Sequence, residues 1–166
     1  HLPFQSGNDR VLKVMNRHYD RAKYISLIDY AYEIMPDISI TSDVIVGFPG
    51  ETYDEFKDTL SLLEKVRFTS LFTFIFSPRP GTKAYDMDDP ISSEDKSKWF
   101  KELTTLQEKI AGERTAKMKG KIYKVLVEGK SKTEGLLSGR TAGNGIIECM
   151  GDESLIGTFA SVKVTN

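Results

Sequence analysis

Residues 47–52 and the strand before them form the first segment whose residue types suit ligand binding. They read GFPGET and follow a run rich in Ile and Val that contains one carboxylate, Asp43. A carboxylate in a buried strand is costly unless it is hydrogen-bonded, and glycine amides at a strand end lie where α/β proteins bind ligands. The segment predicts either a ligand site or a tight turn in which Gly47 and Gly50 supply unusual dihedral angles and Asp43 caps the backbone.

Residues 77–82, SPRPGT, form the second such segment. Arg79 lies between two prolines, so the loop is stiff and fixes where the guanidinium points, which suits carboxylate or phosphate recognition. The alternative is a solvated arginine in a turn. Upstream, the phenylalanines alternate along one strand at positions 72, 74 and 76, which predicts that they pack in a core. Gln5 and Arg17 carry no comparable signal by themselves.

Several classes of chemistry find no support in the sequence. Cys149 is the sole cysteine, so an internal disulfide framework and a metal cluster held by several thiolates are both excluded, and we interpret it as a buried thiol. His1 and His18 show no metal-ligand spacing, and no Ser/His/Asp set is evident.

The 23 basic and 24 acidic residues of the chain nearly cancel in net charge. With no apolar run long enough for a bilayer and no signal peptide, we expect a cytoplasmic protein without membrane contact.

The elements that must position these residues fall into two groups. Residues 1–118 alternate short β-rich segments with amphipathic helices, the pattern of βα units on a parallel sheet. Strands are predicted at 2–5, 38–48 and 70–76, and three strands do not close a barrel. Asp9 and Asp20 are predicted to cap the first two helices, the third follows the turn at residues 49–52, and the fourth begins at Ser93.

Residues 119–166 are punctuated by glycine and predict four short strands, at 122–128, 135–141, 145–149 and 158–164. This spacing is typical of a small antiparallel β-barrel in the size class that binds nucleic acids. The segment holds 7 basic and 5 acidic residues, whereas residues 1–118 hold 16 and 19. Its lysines either contact phosphates or serve solubility.

Four motifs, in this order and spacing, resemble the methylthiotransferase branch of the radical S-adenosylmethionine (SAM) superfamily. They are residues 1–7 (HLPFQSG), 12–17 (LKVMNR), 41–52 (TSDVIVGFPGET) and 76–82 (FSPRPGT). Residues 126–129, 137–141 and 155–157 are similar to the TRAM domain that follows the barrel in this family. The resemblance covers essentially the whole chain. It implies an α/β fold: the C-terminal βα units of an incomplete TIM-like radical SAM barrel over 1–118, and a TRAM RNA-binding β-barrel over 119–166.

The resemblance also implies roles for individual residues. Gln5 and Asp43 would contact the ribose hydroxyls of SAM, and Arg17 would pair with its carboxylate. The adenine would lie between two strand ends, formed by Val46, Gly47, Phe76 and Ser77. Arg79 and Glu51 would act on the substrate side or order the loops. RNA phosphates would be bound by Lys121, Lys124, Lys130, Lys132 and Arg140.

The activity that the resemblance implies is transfer of a methylthio group to C2 of N6-isopentenyladenosine 37 in the tRNA anticodon stem-loop. It requires SAM and two [4Fe-4S] clusters, whose cysteine ligands do not occur in this sequence. Because the chain also starts at His1, we expect an N-terminal part of the same protein to supply them, and the chain alone to be inactive.

Three alternatives stay open at this point. A sister enzyme would act on threonylcarbamoyladenosine 37 or on a ribosomal protein. A non-catalytic RNA-binding module would need no cysteines. A phosphate-binding barrel enzyme would use residues 47–52 and prefer sugar phosphates to SAM.

Overall fold

A small parallel sheet organises the N-terminal part of the chain. In the computed structural model, which describes residues 1–165, strands β1 (Thr41–Val46) and β2 (Ser70–Ile75) pair in parallel. The segment before them joins β1, because the Leu2 amide donates to the Thr41 carbonyl and the Gln5 amide to the Asp43 carbonyl, each at 2.9 Å. Three neighbouring parallel segments are therefore present, and the predicted α/β class is confirmed.

Four helices flank these segments and follow the capping signals of the sequence. They are α1 (Asp9–Val14), α2 (Arg21–Ile34), α3 (Tyr53–Val66) and α4 (Ser93–Ala116), with a short 3-10 turn at Lys83–Asp86. Asp20 caps α2 as predicted, and Thr52 caps α3 in a capping box with Glu55. The prediction that Asp9 caps α1 is wrong. The Asn8 side chain accepts the first amides of that helix, and the Asp9 carboxylate instead accepts the Arg21 amide.

The helices cover one face of the parallel sheet. Ser42, Val44 and Val46 are buried on that face, and a single cluster of side chains from residues 4–110 forms the core. On the other face Phe72 and Phe74 are 55% and 53% exposed. The prediction that these phenylalanines pack in a core is therefore wrong for this chain, because they point toward the face that its helices do not cover.

The C-terminal part of the chain is a second, antiparallel sheet. Its strands are β3 (Ile122–Lys130), β4 (Leu137–Thr141), β5 (Ile146–Cys149) and β6 (Phe159–Lys163), in the order β5-β4-β3-β6, with a 3-10 turn at Glu153–Leu155. All four predicted strands are present. Val125, Val127, Leu137 and Ile147 are buried in its interior.

The chain divides into two compact units, His1–Glu113 and the residues from Arg114 onward. We call them the first and second units. No helix within residues 1–165 combines the length and the apolar character that a bilayer crossing requires.

Candidate functional site

The carboxyl ends of the three parallel segments meet at one edge of the first unit. The Ile45 amide donates to the Gln5 carbonyl at 3.0 Å, and the Phe76 amide donates to the Val46 carbonyl at 2.9 Å. Gly47 follows Val46 directly at this edge. Ligands of parallel α/β proteins bind at this end of the strands, so we describe this edge as the candidate site of the first unit.

The loop after Gln5 is held rigidly against helix α3. The Gly7 amide donates to the Thr59 hydroxyl at 2.8 Å, and the Asn8 side-chain amide donates to the Asp58 carboxylate at 2.7 Å. A Cβ atom on Gly7 would lie 2.6 Å from the Asp58 carbonyl oxygen, so only glycine allows this approach. Gln5 itself is buried and has a positive φ of 62°. The chain is thus forced to turn sharply at the strand end.

Glu51 fixes the turn that follows β1. Its Oε2 accepts hydrogen bonds from the amides of Gly47 at 2.8 Å and Phe48 at 3.3 Å, and the side chain is only 4% exposed. Its Oε1 is buried without a hydrogen-bond partner among the described residues. Burial raises the pKa of Glu51 to about 7, although the two backbone hydrogen bonds oppose that shift. Of the two roles expected for Glu51, loop ordering is therefore the one that these contacts support.

Lys96 is a contributor to this edge that sequence reasoning missed. This lysine of α4 is buried, and a Cβ on Gly47 would lie 2.6 Å from its Cγ. Its ammonium pairs with Asp89 and lies 5.6 Å from the centroid of the Phe76 ring. Its position in the sequence could have indicated this, because Lys96 precedes Trp99 by three residues and Leu103 by seven and therefore lies on the apolar face of α4.

Asp43 lies on the open face of the parallel sheet. Its carboxylate is 30% exposed, and Oδ1 lies 3.3 Å from His1 Nε2. The same imidazole approaches the Thr41 hydroxyl at 2.8 Å and the edge of the Phe72 ring at 5.8 Å between centroids. The Asp43 carboxylate therefore faces a side chain and solvent, where it can accept hydrogen bonds from a ligand, and it does not cap the backbone. Sequence reasoning assigned no partner to His1.

The remaining candidates of the first unit lie on exposed loops. Arg17 lies between α1 and α2, and Ser77 and Arg79 follow β2. Within residues 1–165 their side chains form no hydrogen bond or ion pair. The structure brings Gln5, Asp43, Val46, Gly47 and Phe76 together and leaves these three polar side chains uncommitted.

Potential metal ligands do not cluster in the part of the chain that the structure describes. No group of three or more His, Cys, Asp or Glu side chains there could hold a metal ion. Cys149, half-buried in β5, is a free thiol.

In the second unit, the five predicted RNA contacts differ in their surroundings. Lys121 and Lys132 are exposed. The ammonium of Lys130 lies 2.6 Å from a Glu153 carboxylate oxygen. Arg140 and Lys124 line one cleft on this sheet. Exposed ion pairs of this kind contribute about 0–1 kcal/mol, so RNA phosphates can replace the carboxylate partner.

Comparison with known proteins assigns both units. Residues 1–63 match the radical SAM superfamily, and residues 116–166 match the TRAM domain. Over 99% of its length the chain is 47% identical to a tRNA-2-methylthio-N(6)-dimethylallyladenosine synthase from Thermoanaerobacter sp. (strain X514) and 46% identical to one from Syntrophotalea carbinolica. The chain belongs to the radical SAM methylthiotransferase family. It covers 35% and 38% of those two synthases, so it spans about a third of the curated relatives that it matches.

Proposed function

We propose that this chain is the C-terminal part of a cytoplasmic enzyme that adds a methylthio group to C2 of N6-dimethylallyladenosine 37 in tRNA. The proposal rests on one observation above all: a partly exposed carboxylate on the open face of β1 lies beside a buried glutamine, and a glycine turn follows at the carboxyl end of the same strand. The names of relatives that are 42–47% identical across 99% of the chain support this choice of reaction.

The residues at this edge suit the chemical groups of SAM. The Asp43 carboxylate can accept hydrogen bonds from the two hydroxyls of a ribose, and Gln5 adds an amide that both donates and accepts. The uncommitted guanidinium of Arg17 matches the methionyl carboxylate. When bound, SAM supplies the species that abstracts hydrogen from C2 and the methyl group that is transferred.

The other side chains of the edge would orient the nucleoside. The Gly47 turn and the Phe76 ring would offer backbone groups and apolar surface to an adenine, and Val46 and Ser77 adjoin them. Glu51 holds the Gly47 turn through two amides, and Lys96 packs against it. His1 would hold the Asp43 carboxylate in place by its contact at 3.3 Å. Arg79, on the stiff loop after β2, would face the RNA.

The two [4Fe-4S] clusters do not fit the residues of this chain. Each needs at least three thiolates, and Cys149 is the only cysteine. We therefore assign their ligands to an N-terminal part of the same protein and derive no step through them. On this proposal the 166-residue chain alone transfers no methylthio group.

The SAM assignment is tested by equilibrium dialysis with radiolabelled SAM on the full-length protein. We expect Asp43→Ala and Arg17→Ala each to weaken SAM binding at least about tenfold, because a hydrogen bond to a charged group contributes about 1.5–3 kcal/mol. Asp37→Ala, which removes an exposed carboxylate elsewhere in the same unit, should leave binding unchanged. Unchanged affinity in both site variants would reject the assignment.

The substrate is tested with reconstituted full-length enzyme and three acceptors. Anticodon stem-loop RNA carrying dimethylallyladenosine should gain the methylthio group. RNA carrying threonylcarbamoyladenosine and isolated ribosomal protein should not. Product on either of those would identify a sister enzyme, and RNA binding without product on any acceptor would indicate a non-catalytic module.

A further inference from the structure

One face of the sheet in the second unit carries a row of side chains that runs across all four strands. Phe159 of β6 is paired with Leu126 of β3, Leu126 with Arg140 of β4, and Arg140 with Ile146 of β5. Val125 and Val127, which flank Leu126 along the strand, are fully buried on the opposite face. Since side chains alternate between faces along a strand, the row lies on the outer face, where Phe159 is 63% exposed.

The middle of this row forms a cleft, which we call the Phe159 cleft. Its volume is about 320 Å³, and its principal lining residues are Lys124, Leu126, Glu128, Arg140, Asn144 and Phe159. This volume lies at the lower end of the range of about 300–1,000 Å³ that is typical of small-molecule sites. The cleft is large enough for one small planar group.

The spacing of the strands gives the cleft the width of a stacked base. Phe159 and Arg140 stand on the two strands that flank β3, so their backbones are about 9.5 Å apart, twice the usual interstrand distance. A base with one stacked group on each side needs about 6.8 Å, twice the 3.4 Å stacking repeat of nucleic acids. Leu126, between them, forms an apolar floor.

The guanidinium of Arg140 is already held in position. Its Nε donates to the Glu128 carboxylate at 3.1 Å, and its Nη1 donates to the Asn144 side-chain oxygen at 3.0 Å. Held arginine planes and exposed aromatic rings are the surfaces on which proteins stack unpaired RNA bases. Glu128 and Asn144 also line the cleft, so their polar atoms are available to the edge of a base.

The charge at the rim of the cleft favours a nucleotide over an apolar peptide segment. The ammonium of Lys124 lies 4.6 Å from the centroid of the Phe159 ring. Its flexible stem lets it move from the ring to a phosphate when a base takes the place beside the ring. A purely apolar partner would offer nothing to either cation.

We propose that the Phe159 cleft binds one unpaired RNA base, sandwiched between Phe159 and Arg140, while Lys124 contacts the adjoining phosphate. This proposal rests on the proposed function in taking RNA as the ligand, and it goes further by assigning a base subsite. A base in a duplex cannot enter, because both of its faces are already stacked. The cleft therefore selects the single-stranded loop of a stem-loop RNA.

The test measures affinity of the chain for fluorescein-labelled anticodon stem-loop RNA, and for a blunt RNA duplex, across a salt series. Phe159→Ala should weaken stem-loop binding about tenfold at every salt concentration and leave the salt slope unchanged, because it removes stacking but no charge. Phe159→Trp, which keeps an aromatic ring, should bind the stem-loop as tightly as the parent chain. Duplex affinity should stay the same.

Two control variants should behave differently from Phe159→Ala and from each other. Lys132→Ala, which removes an exposed cation outside the cleft, should reduce the salt slope by about 0.7, the value for one phosphate contact on a single strand. Met150→Ala, which removes an 86% exposed apolar side chain outside the cleft, should change nothing. Circular dichroism of each variant reports whether the sheet is intact.

The possible outcomes separate this proposal from the proposed function. Unchanged stem-loop affinity in Phe159→Ala, with the Lys132→Ala effect still present, would overturn the base subsite and leave RNA binding standing. Equal losses on stem-loop and duplex, or an altered circular dichroism spectrum, would show a structural role and overturn it too. No measurable RNA binding by the parent chain would overturn the RNA-binding role of the second unit and the subsite with it.

Discussion

Glu51 is the residue of the first unit whose environment is least favourable to its charge. It is almost fully buried, and one of its oxygens has no hydrogen-bond partner among the described residues. The charged groups that face it are Glu55, which raises its pKa, and Arg10, which lowers it. Burial outweighs the amides of Gly47 and Phe48, so the folded protein favours the protonated carboxyl.

We predict that Glu51→Gln removes a pH dependence of stability. The pKa of Glu51 rises from its ordinary value of 4.5 to about 7 on folding. The stabilising contribution of the protonated carboxyl is thus complete below pH 4.5 and is lost as the pH rises through 7. The shift corresponds to about 3 kcal/mol. The variant, which mimics the protonated form, should match the parent near pH 4.5 and exceed its free energy of unfolding by up to that amount at pH 8.

The measurement is urea unfolding followed by the fluorescence of Trp99, the sole tryptophan. Its ring stacks on that of Phe56 in the first unit, with 5.4 Å between the ring centroids. The pKa of Glu55, lowered to about 2 mainly by its hydrogen bond to Arg10, gives an acid-range effect of the opposite sign. That effect is common to both proteins and cancels in the difference. A difference between parent and variant that does not change from pH 4.5 to pH 8 would contradict the prediction.

At the level of single residues, the sequence predicted some features of this site and not others. Asp43 could be singled out because a carboxylate in an apolar strand is costly, and Gly47 because it ends that strand. His1 and Lys96 could not be assigned, since their contacts join segments 42 and 49 residues away, at Asp43 and Gly47. Such pairings depend on the tertiary fold, which no local pattern contains.

The loop of residues 5–8 and helix α3 are the elements whose fit decides the shape of the strand-end edge. We predict that Gly7→Ala lowers the free energy of unfolding of the first unit by about 1–3 kcal/mol, the usual cost of overpacking. The new Cβ would meet backbone atoms of Asp58 and Thr59 at 2.6 Å, and backbone in a helix cannot move aside. Urea unfolding followed by Trp99 fluorescence measures the change.

The matched control is Gly112→Ala in helix α4. A Cβ there meets nothing within 4 Å, so the substitution should stabilise the helix by up to about 1 kcal/mol. If Gly7→Ala behaved like Gly112→Ala, the loop would have to be looser than its hydrogen bonds to α3 indicate.

Among the elements, types were easier to predict than boundaries and faces. The period of the apolar residues and the glycine punctuation correctly indicated parallel βα units and then four antiparallel strands. The cap of α1 is Asn8 and not Asp9, because both residue types are good caps and their tertiary contacts, of Asn8 with Asp58 and of Asp9 with Arg21, decide between them. Alternation at Phe72 and Phe74 showed that they share a face, but not that this chain leaves it uncovered.

On the scale of the whole molecule, each of the two compact units has a buried core of its own. The core cluster of the first unit is drawn from residues 4–110, and the second unit buries Val125, Val127, Leu137 and Ile147. A substitution that disrupts the core of one unit should therefore destabilise that unit and not the other. This expectation can be tested with a substitution in the second unit that parallels Gly7→Ala in the first.

We predict that Gly139→Ala loosens the second unit and spares the first. A Cβ at Gly139 would lie 2.4 Å from the Leu126 carbonyl oxygen, so the pairing of β3 with β4 must open. In hydrogen exchange measured by mass spectrometry, peptides from residues 122–163 should exchange faster, while those from residues 41–75 keep the parent rates. Gly7→Ala should give the reverse pattern. Faster exchange throughout the chain in either variant would mean that the two units unfold as one cooperative body, because a local backbone clash would then be transmitted to both cores.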